Sequence, residues 1–468
     1  MALWWSALDD DPDLIDAQTG LEEILRERDS WQALANLYLK LLAHYGRDDV
    51  SGPASEMAAT RLRLWVDLAD LCWDKLDQKD SALDALEVAC RLAPDDVERL
   101  RIYADRASEA GPAHRSRATA CHRQLLEMNK QRAASYKALA TLYADGHRER
   151  HAAACADAYA FALVGAENDR PKPLTSRLDL GNNALTAEMW TALRHPDEDP
   201  LVSAALALVA PVIAGANALS RKRLQLEMRN VDELPPDTVC GRVLTRVVAA
   251  LGTARPLVLA APESRTPVEI RMLSEKTGAR PALVIGAPLL QGATERAIAF
   301  QLGRALASLR GGGLLRWVLP RSEQIGQLLD AAIEIATGKS ENTAPGVATT
   351  VALLERGLTA QQREQLTTIG ARLRERSVMT ESAATAWLRA HDLSLARVGL
   401  CACGDLATAI DVMKGDPRST GRHGGPVRAV ELVWGSVTEA VLDARAHLED
   451  WTPSIIHPIV TKRVSARV

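Results

Sequence analysis

The chain has 468 residues, of which 47% are hydrophobic and 25% charged, with a formal net charge of −4. That length exceeds what one compact core organises, so two or three domains are expected. The near-balance of charge excludes a protein drawn to nucleic acid or to an anionic membrane by bulk electrostatics.

Alanine, leucine and arginine dominate, and phenylalanine occurs only at Phe161 and Phe300. Good helix formers with few aromatic or β-branched runs point to a mainly α protein. The opening stretch, MALWWSALDDDPDL, lacks the basic flank and long apolar core of a signal peptide. Seven cysteines, an odd number scattered through helical segments, fit reduced core residues of a cytoplasmic protein.

Leu14 to Arg28 is an amphipathic helix pattern, and Asp29-Ser30 caps a second helix from Trp31 to about Tyr45. A polar loop follows from Gly46 to Pro53. From Arg61 to Pro94 two helical faces appear in sequence, one carrying Trp65, Leu68, Ala69 and Cys72, the other Ala82, Leu86 and Ala89. A lone helical hairpin of this kind cannot bury its apolar faces, so it needs stacked neighbours. The sequence supplies them. Ala69, Ala104 and Ala140 fall 35 and 36 residues apart in the phrases Trp65-x2-Leu68-Ala69-x2-Cys72, Leu100-x2-Tyr103-Ala104-x2-Ala107 and Tyr136-x2-Leu139-Ala140-x2-Tyr143. The second helices keep step at Ala82, Ala118 and Ala153, with turn residues at Gly111-Pro112 and Gly146.

This pattern resembles the tetratricopeptide repeat, with three clear units and a degenerate one around Trp31-x2-Leu34-Ala35-x2-Tyr38. The resemblance implies a superhelix lined on its inner face by the first helices, and a protein or peptide partner held there. Register puts Arg63, Val66, Asp70 and Trp73 on that face, then Arg101, Asp105 and Ser108, then Lys137 and Thr141. The lysine-and-asparagine clamp with which some members hold a terminal carboxylate is missing: Asp70, Asp105 and Thr141 occupy those positions. A solvated face of mixed charge explains the same residues without a partner.

After Phe161 the repeat fades, with a break expected from Glu167 to Pro173 and a helix from Leu185 to Leu193, ended by His195-Pro196. Leu201 to Leu219 is the most apolar run, but Pro211 inside it and Arg221-Lys-Arg after it favour a buried helix pair over a membrane span. Another helix is expected from Cys240 to Leu251. The runs from Arg255 to Ala260 and from Arg280 to Gly286 read as strands, with a helix or an irregular excursion over Thr266 to Thr277. A strong helix from Gly292 to Ser308 ends at Gly311-Gly312-Gly313, expected as a flexible break. Helices follow over Ser322–Ala336, Gly346–Arg356, Thr359–Arg376 and Ser382 to about Leu395; then a strand over Ala429–Trp434 and a helix from Val437 to Leu448. The expected organisation is a repeat array over residues 1–169, a helical connector over 170–237, and a mostly helical α+β domain over 238–468.

The segment AIAFQLGRALAS, followed on a later helix by AWLRAHDLSLARVGL, resembles the core of a gluzincin metallopeptidase of the CAAX-prenyl-protease type. The resemblance implies two zinc-binding histidines and a glutamate base on the first helix and a third ligand on the later one. Those positions carry Arg304, Ala305, Ser308 and Asp392 here, and the alanine–aspartate pair of the later helix falls on Leu395-Ala396. Arginine offers no lone pair, alanine takes no proton from water, and serine is a poor zinc ligand. The implied domain is therefore a pseudopeptidase with no catalytic residues, metal or cofactor. Repeats joined to such a domain resemble a group of bacterial proteins from large genomes.

Other candidates are weaker. Cys401-Ala-Cys403, near His391 and Asp392 in sequence, has the wrong spacing for a zinc knuckle and sits in an apolar helix, so core cysteines are expected. No Gly-x4-Gly-Lys loop follows a strand, Ser264 and Ser308 lack a nucleophile-elbow context, and His114, His122, His147 and His151 read as surface histidines of the array. Arg418 to His423 reads as a mobile basic loop, and Thr461 to Val468 as a solvated basic tail. The expected function is a non-catalytic interaction scaffold binding a protein or peptide, with no nucleic acid and no membrane span. The competing readings are a divergent metal-dependent hydrolase using Asp392 and a homo-oligomer joined through the ends of the array.

Overall fold

The structure is a computed structural model, and it describes residues 1–46, 54–163, 171–228, 230–276, 278–319, 321–338, 345–415 and 425–449. Most of the loop expected after Gly46, much of the break after Phe161, the basic loop around Arg418 to His423 and the C-terminal tail lie outside these residues. The chain divides into two compact units, Met1–Ala152 and Ala153–Val468.

The first unit is a series of antiparallel-type helical hairpins: α1 (Ala2–Asp10), α2 (Ile15–Glu27), α3 (Trp31–Tyr45), α4 (Ala54–Asp74), α5 (Lys79–Leu92), α6 (Val97–Glu109), α7 (Arg115–Met128) and α8 (Ala133–Asp145); α9 (Glu149–Leu163) carries the unit boundary. The sequence pattern leaves α1 unpredicted, and its Leu8 is buried while Trp4 packs against Gly20 of α2. Ala35, Ala69, Ala104 and Ala140, the small residues of the repeated phrase, are all buried, as are Ala82 and Ala118; Ala153 is half-buried and its neighbour Ala154 is buried instead. One continuous core runs from Leu8 to Leu142, with Tyr38, Leu64 and Leu83 at full burial. Small residues at these positions let each helix lie close against the next, so apolar side chains of adjacent hairpins close over them.

The second unit is mostly helical around one small sheet. Its helices are α10 (Ala187–Ala192), α11 (Pro200–Ala216), α12 (Arg221–Glu227), α13 (Val239–Leu251), α14 (Ala287–Leu290), α15 (Glu295–Ser308), α16 (Leu315–Val318), α17 (Ser322–Thr337), α18 (Pro345–Gly357), α19 (Ala360–Glu375), α20 (Thr380–Cys403), α21 (Leu406–Lys414), α22 (Gly425–Ser436) and α23 (Glu439–Leu448). Residues 170–237, read from sequence as a connector, supply α11 to a core shared with α17, α19 and α20. No helix among the described residues is long and apolar enough to cross a membrane.

The sheet has the order β1-β2-β4-β3, from Asp232–Glu233, Leu257–Ala261, Gly278–Gly286 and Val268–Glu275 respectively. The two strands expected from proline-bounded apolar runs pair in parallel, Leu259 opposite Val284. The intervening segment is neither helix nor irregular excursion: β3 pairs antiparallel with β4, Ile270 opposite Leu283. Val268, Glu269, Ile270, Met272 and Leu273 are all buried, so both faces of this strand are covered, and Gly278 takes φ +124° at the turn. A second correction concerns Ala429–Trp434, which lies in α22 rather than in a strand. Its Val, Leu and Trp residues suggest β propensity, but tertiary packing on α20 and α21 buries Arg428 and Leu432 one helical turn apart.

Candidate functional site

On the first unit, the charged residues expected to face a partner in the first two clear repeats are already held in ion pairs within the array. Arg63 binds Asp67 at 3.0 Å and Glu22 at 3.5 Å. Asp70 takes a 2.7 Å ion pair from Arg106 of the next hairpin, and the same guanidinium lies 5.4 Å from the ring centre of Trp73. Trp73 is half-buried against the core, with Lys79 also over its ring, so this side chain joins hairpins as well as presenting a surface. Arg101 is bracketed on its own helix by Glu98 and by Asp105 at 2.6 Å. Lys137 and Thr141 are exposed on α8. His122 and His151, expected on the surface, are buried. His122 sits between Ser108 and Ser135, and burial pushes its pKa down to about 4.

In the second unit, α15 and α20 cross at glycines. A Cβ at Gly399 would meet the Phe300 carbonyl oxygen and Arg304 Cγ at 2.8 Å, and one at Gly303 would meet Ala402 at 2.9 Å. Only hydrogen fits there, and the close crossing lays Arg304 directly along α20. Thr294 caps α15 through the Ala297 N–H, and α20 stops at Gly404 in the left-handed region, φ +66°.

This crossing brings together two of the positions singled out by the peptidase resemblance, Arg304 and Asp392. Arg304 Nη2 donates to Asp392 Oδ1 at 2.9 Å. Two arginines not anticipated from sequence complete the cluster: Arg316 donates to the same oxygen at 2.7 Å, and Arg428 lies 3.3 Å from Oδ2. Burial alone would raise the Asp392 pKa, but the charges of Arg316, Arg304 and Arg428 outweigh it and hold the carboxyl well below the usual carboxylate range. Ser308 is equally committed. Its hydroxyl donates to the Ala305 carbonyl at 2.7 Å and accepts from Trp317 Nε1 at 2.8 Å. The Gly311–Leu314 segment is a short 3-10 helix rather than a flexible break, with Gly312 and Gly313 buried. A Cβ at Gly313 would lie 2.5 Å from the Ser308 carbonyl oxygen and 2.8 Å from His391 Nε2, so this backbone is wedged between α15 and α20.

These residues do not fit zinc. The one carboxylate is shared by three guanidiniums, which repel a cation, and the flanking serine and alanine offer no ligand in its place. Cys401 and Cys403 are not near His391: ten or more residues along one helix is about 15 Å. Both thiols are buried, and burial pushes each up to about 12.

A second constellation, also missed in the sequence, centres on His391, the residue before Asp392 on α20. Asp199 caps α11 by accepting from the Leu201 and Val202 N–H groups, with Pro200 at the first helical position. That rigid start fixes Glu198 immediately before it, facing α20. Glu198 Oε1 lies 3.4 Å from His391 Nδ1 and accepts from Ser203 at 3.2 Å, while Ser394 donates to Oε2. Burial acts to raise the Glu198 pKa, yet the hydrogen bond and charge of His391, the Ser394 hydroxyl and the charge of Arg194 lower it overall. Trp387 stacks on the His391 ring, centres 4.7 Å apart and planes 9° apart. The Asp-Pro helix start is legible in the sequence; its juxtaposition with a histidine 193 residues later is not.

Neither a known family model nor a curated protein matches this sequence.

Proposed function

We infer that the protein is a non-catalytic interaction scaffold. In this reading the helical hairpins of the first unit hold a protein or peptide segment, and the second unit is a peptidase-like framework that performs no metal chemistry. The observation that carries the non-catalytic part is the buried Arg304–Asp392 ion pair. Zinc hydrolysis needs ligands with free lone pairs and a base beside the metal-bound water. Here Arg304 stands at a ligand position and neutralises the acid at another, and Ala305 stands where the base would be. A hydrolase built on Asp392 would require Arg304, Arg316 and Arg428 to leave it.

Support for the binding part comes from the array itself: stacked hairpins with buried small residues, and a surface of alternating charge with Lys137 and Thr141 exposed. Affinity on such a surface is concentrated in a few anchors. The test is metal content by mass spectrometry on the full chain purified without chelator, together with partner capture by wild type and by Lys137→Glu and Arg101→Glu. The proposal expects no stoichiometric metal, and loss of the captured partner in the charge-reversed variants. One zinc per chain would overturn the first part, and capture unaffected by either substitution would overturn the second.

A further inference from the structure

Two apolar strand segments open on the same dipeptide, Arg255-Pro256 just before β2 and Arg280-Pro281 within β4. In the parallel ladder Leu257 stands opposite Ala282, so the same register carried back two positions sets Arg255 beside Arg280. Side chains at matching positions of neighbouring parallel strands leave on the same face, from backbones about 5 Å apart. The proline after each arginine disfavours a helical backbone before it, which keeps both starts extended. Like charges placed side by side in this way repel. The protein does little to neutralise them.

Arg255 donates to Thr245 Oγ1 at 3.0 Å and pairs with no carboxylate among the described residues. Arg280 meets Glu275 at 3.1 Å, an exposed pair of the kind that contributes little and opens readily. Both arginines line a cleft of about 700 Å³, a volume in the range of small-molecule sites. Arg310, at the end of α15, enters the same lining from a third element. It too has no carboxylate partner among the described residues, and its guanidinium is steadied 4.4 Å from the centre of the Trp190 ring. The one carboxylate in the lining is Glu233, which Arg221 already meets at 3.4 Å. Three guanidiniums against one paired carboxylate make this cleft positive in a chain whose formal net charge is −4. The remaining lining is largely apolar, from Leu257, Leu306 and Leu309 with the two prolines.

We propose that this cleft binds a small organic phosphate, in the first place a diphosphate with a flat or apolar body. The phosphate oxygens meet Arg255, Arg280 and Arg310, and the body lies against the leucines and prolines. Guanidinium forks match phosphate oxygens two at a time, and three forks from three elements exceed what the two oxygens of a single carboxylate satisfy. The bounded volume and the net acidic chain favour a small ligand over a nucleic-acid strand, whose backbone needs a continuous basic track. The site stands independently of partner capture by the first unit.

The test is calorimetric titration of the full-length protein with ADP, with pyrophosphate, which lacks the body, and with adenosine, which lacks the phosphates. ADP is expected to bind in the millimolar range or tighter, pyrophosphate about threefold or more weakly than ADP, and adenosine not measurably. The Arg255→Gln/Arg280→Gln variant, altered only at exposed positions, should lose about tenfold or more for both anions, and Arg310→Gln about threefold. Arg372→Gln, exposed on α19 and outside the lining, should bind as wild type does. Affinity for ADP should also fall as sodium chloride rises from about 50 to about 300 mM. The proposal is overturned if neither anion binds, if adenosine or pyrophosphate binds as tightly as ADP, or if the double arginine variant loses no more than Arg372→Gln. A single-stranded oligothymidylate that binds more tightly than ADP would overturn the small-molecule assignment.

Discussion

Asp392→Asn is nearly isosteric and removes one charge from a site sealed from solvent. Asp392 is 4% exposed and meets Arg304 at 2.9 Å, Arg316 at 2.7 Å and Arg428 at 3.3 Å. Removing one partner of a buried charge pair costs about 3–5 kcal/mol, because the opposite charge stays desolvated. Three guanidiniums share this carboxylate, so the upper part of that range applies. At about 2–4 °C per kcal/mol for a domain of a few hundred residues, the midpoint of thermal unfolding should fall on the order of 10 °C. Arg304→Met should cost less, about 1.5–3 kcal/mol, since Asp392 retains Arg316 and Arg428. The sign with pH follows from the depressed carboxyl. Its contribution is complete above the unfolded carboxyl value of about 4 and is lost as pH falls from there toward the folded value. The gap between wild type and Asp392→Asn should therefore be flat above about pH 5 and narrow below about pH 4. Urea unfolding followed by tryptophan fluorescence reads this, since Trp317 and Trp387 lie in the same unit. A gap under about 1 kcal/mol at neutral pH, or a larger loss for Arg304→Met than for Asp392→Asn, would refute the charge-cluster argument.

Gly313→Ala should destabilise the second unit by about 1–3 kcal/mol, measured by the same unfolding, because its Cβ has backbone at 2.5 Å and nowhere to move. His122 is buried with its pKa pushed down to about 4, so the unfolded chain takes up its proton first, near about pH 6.5. First-unit stability should therefore fall as pH drops from about 6.5 to 4, and His122→Leu should flatten that slope in an acid titration followed by circular dichroism. Trp73→Ala should lower stability by about 2–4 kcal/mol as well as any partner affinity, whereas Arg101→Ala, whose ion pairs lie within one exposed helix face, should change stability by less than about 1 kcal/mol. Equal thermal midpoints for the two variants would show that the Trp73–Arg106 contact does not join the hairpins.

The helical character of the chain, the spacing of its buried alanines and the two proline-bounded strands were legible in the sequence, because each is set by local propensity or by a period along one element; the parallel pairing of those strands was not. The β3 strand was not read from the sequence, which left a helix or an irregular excursion open there, because a short apolar run interrupted by charge is ambiguous until its partner strand is known. The α22 segment misled for the complementary reason: valine and tryptophan favour strands intrinsically, and only packing against α20 and α21 made the helix the lower-energy state. For the candidate sites the division is sharper. Residue types at Arg304, Ser308 and Asp392 already spoke against a metal, since protonation and lone pairs are properties of single side chains. That Arg316 and Arg428 converge on Asp392, and that Glu198 meets His391 beside a cavity, depended on distance in space. Those contacts join residues 36 to 193 positions apart across a glycine crossing and a capped helix start, and only the tertiary structure decided them.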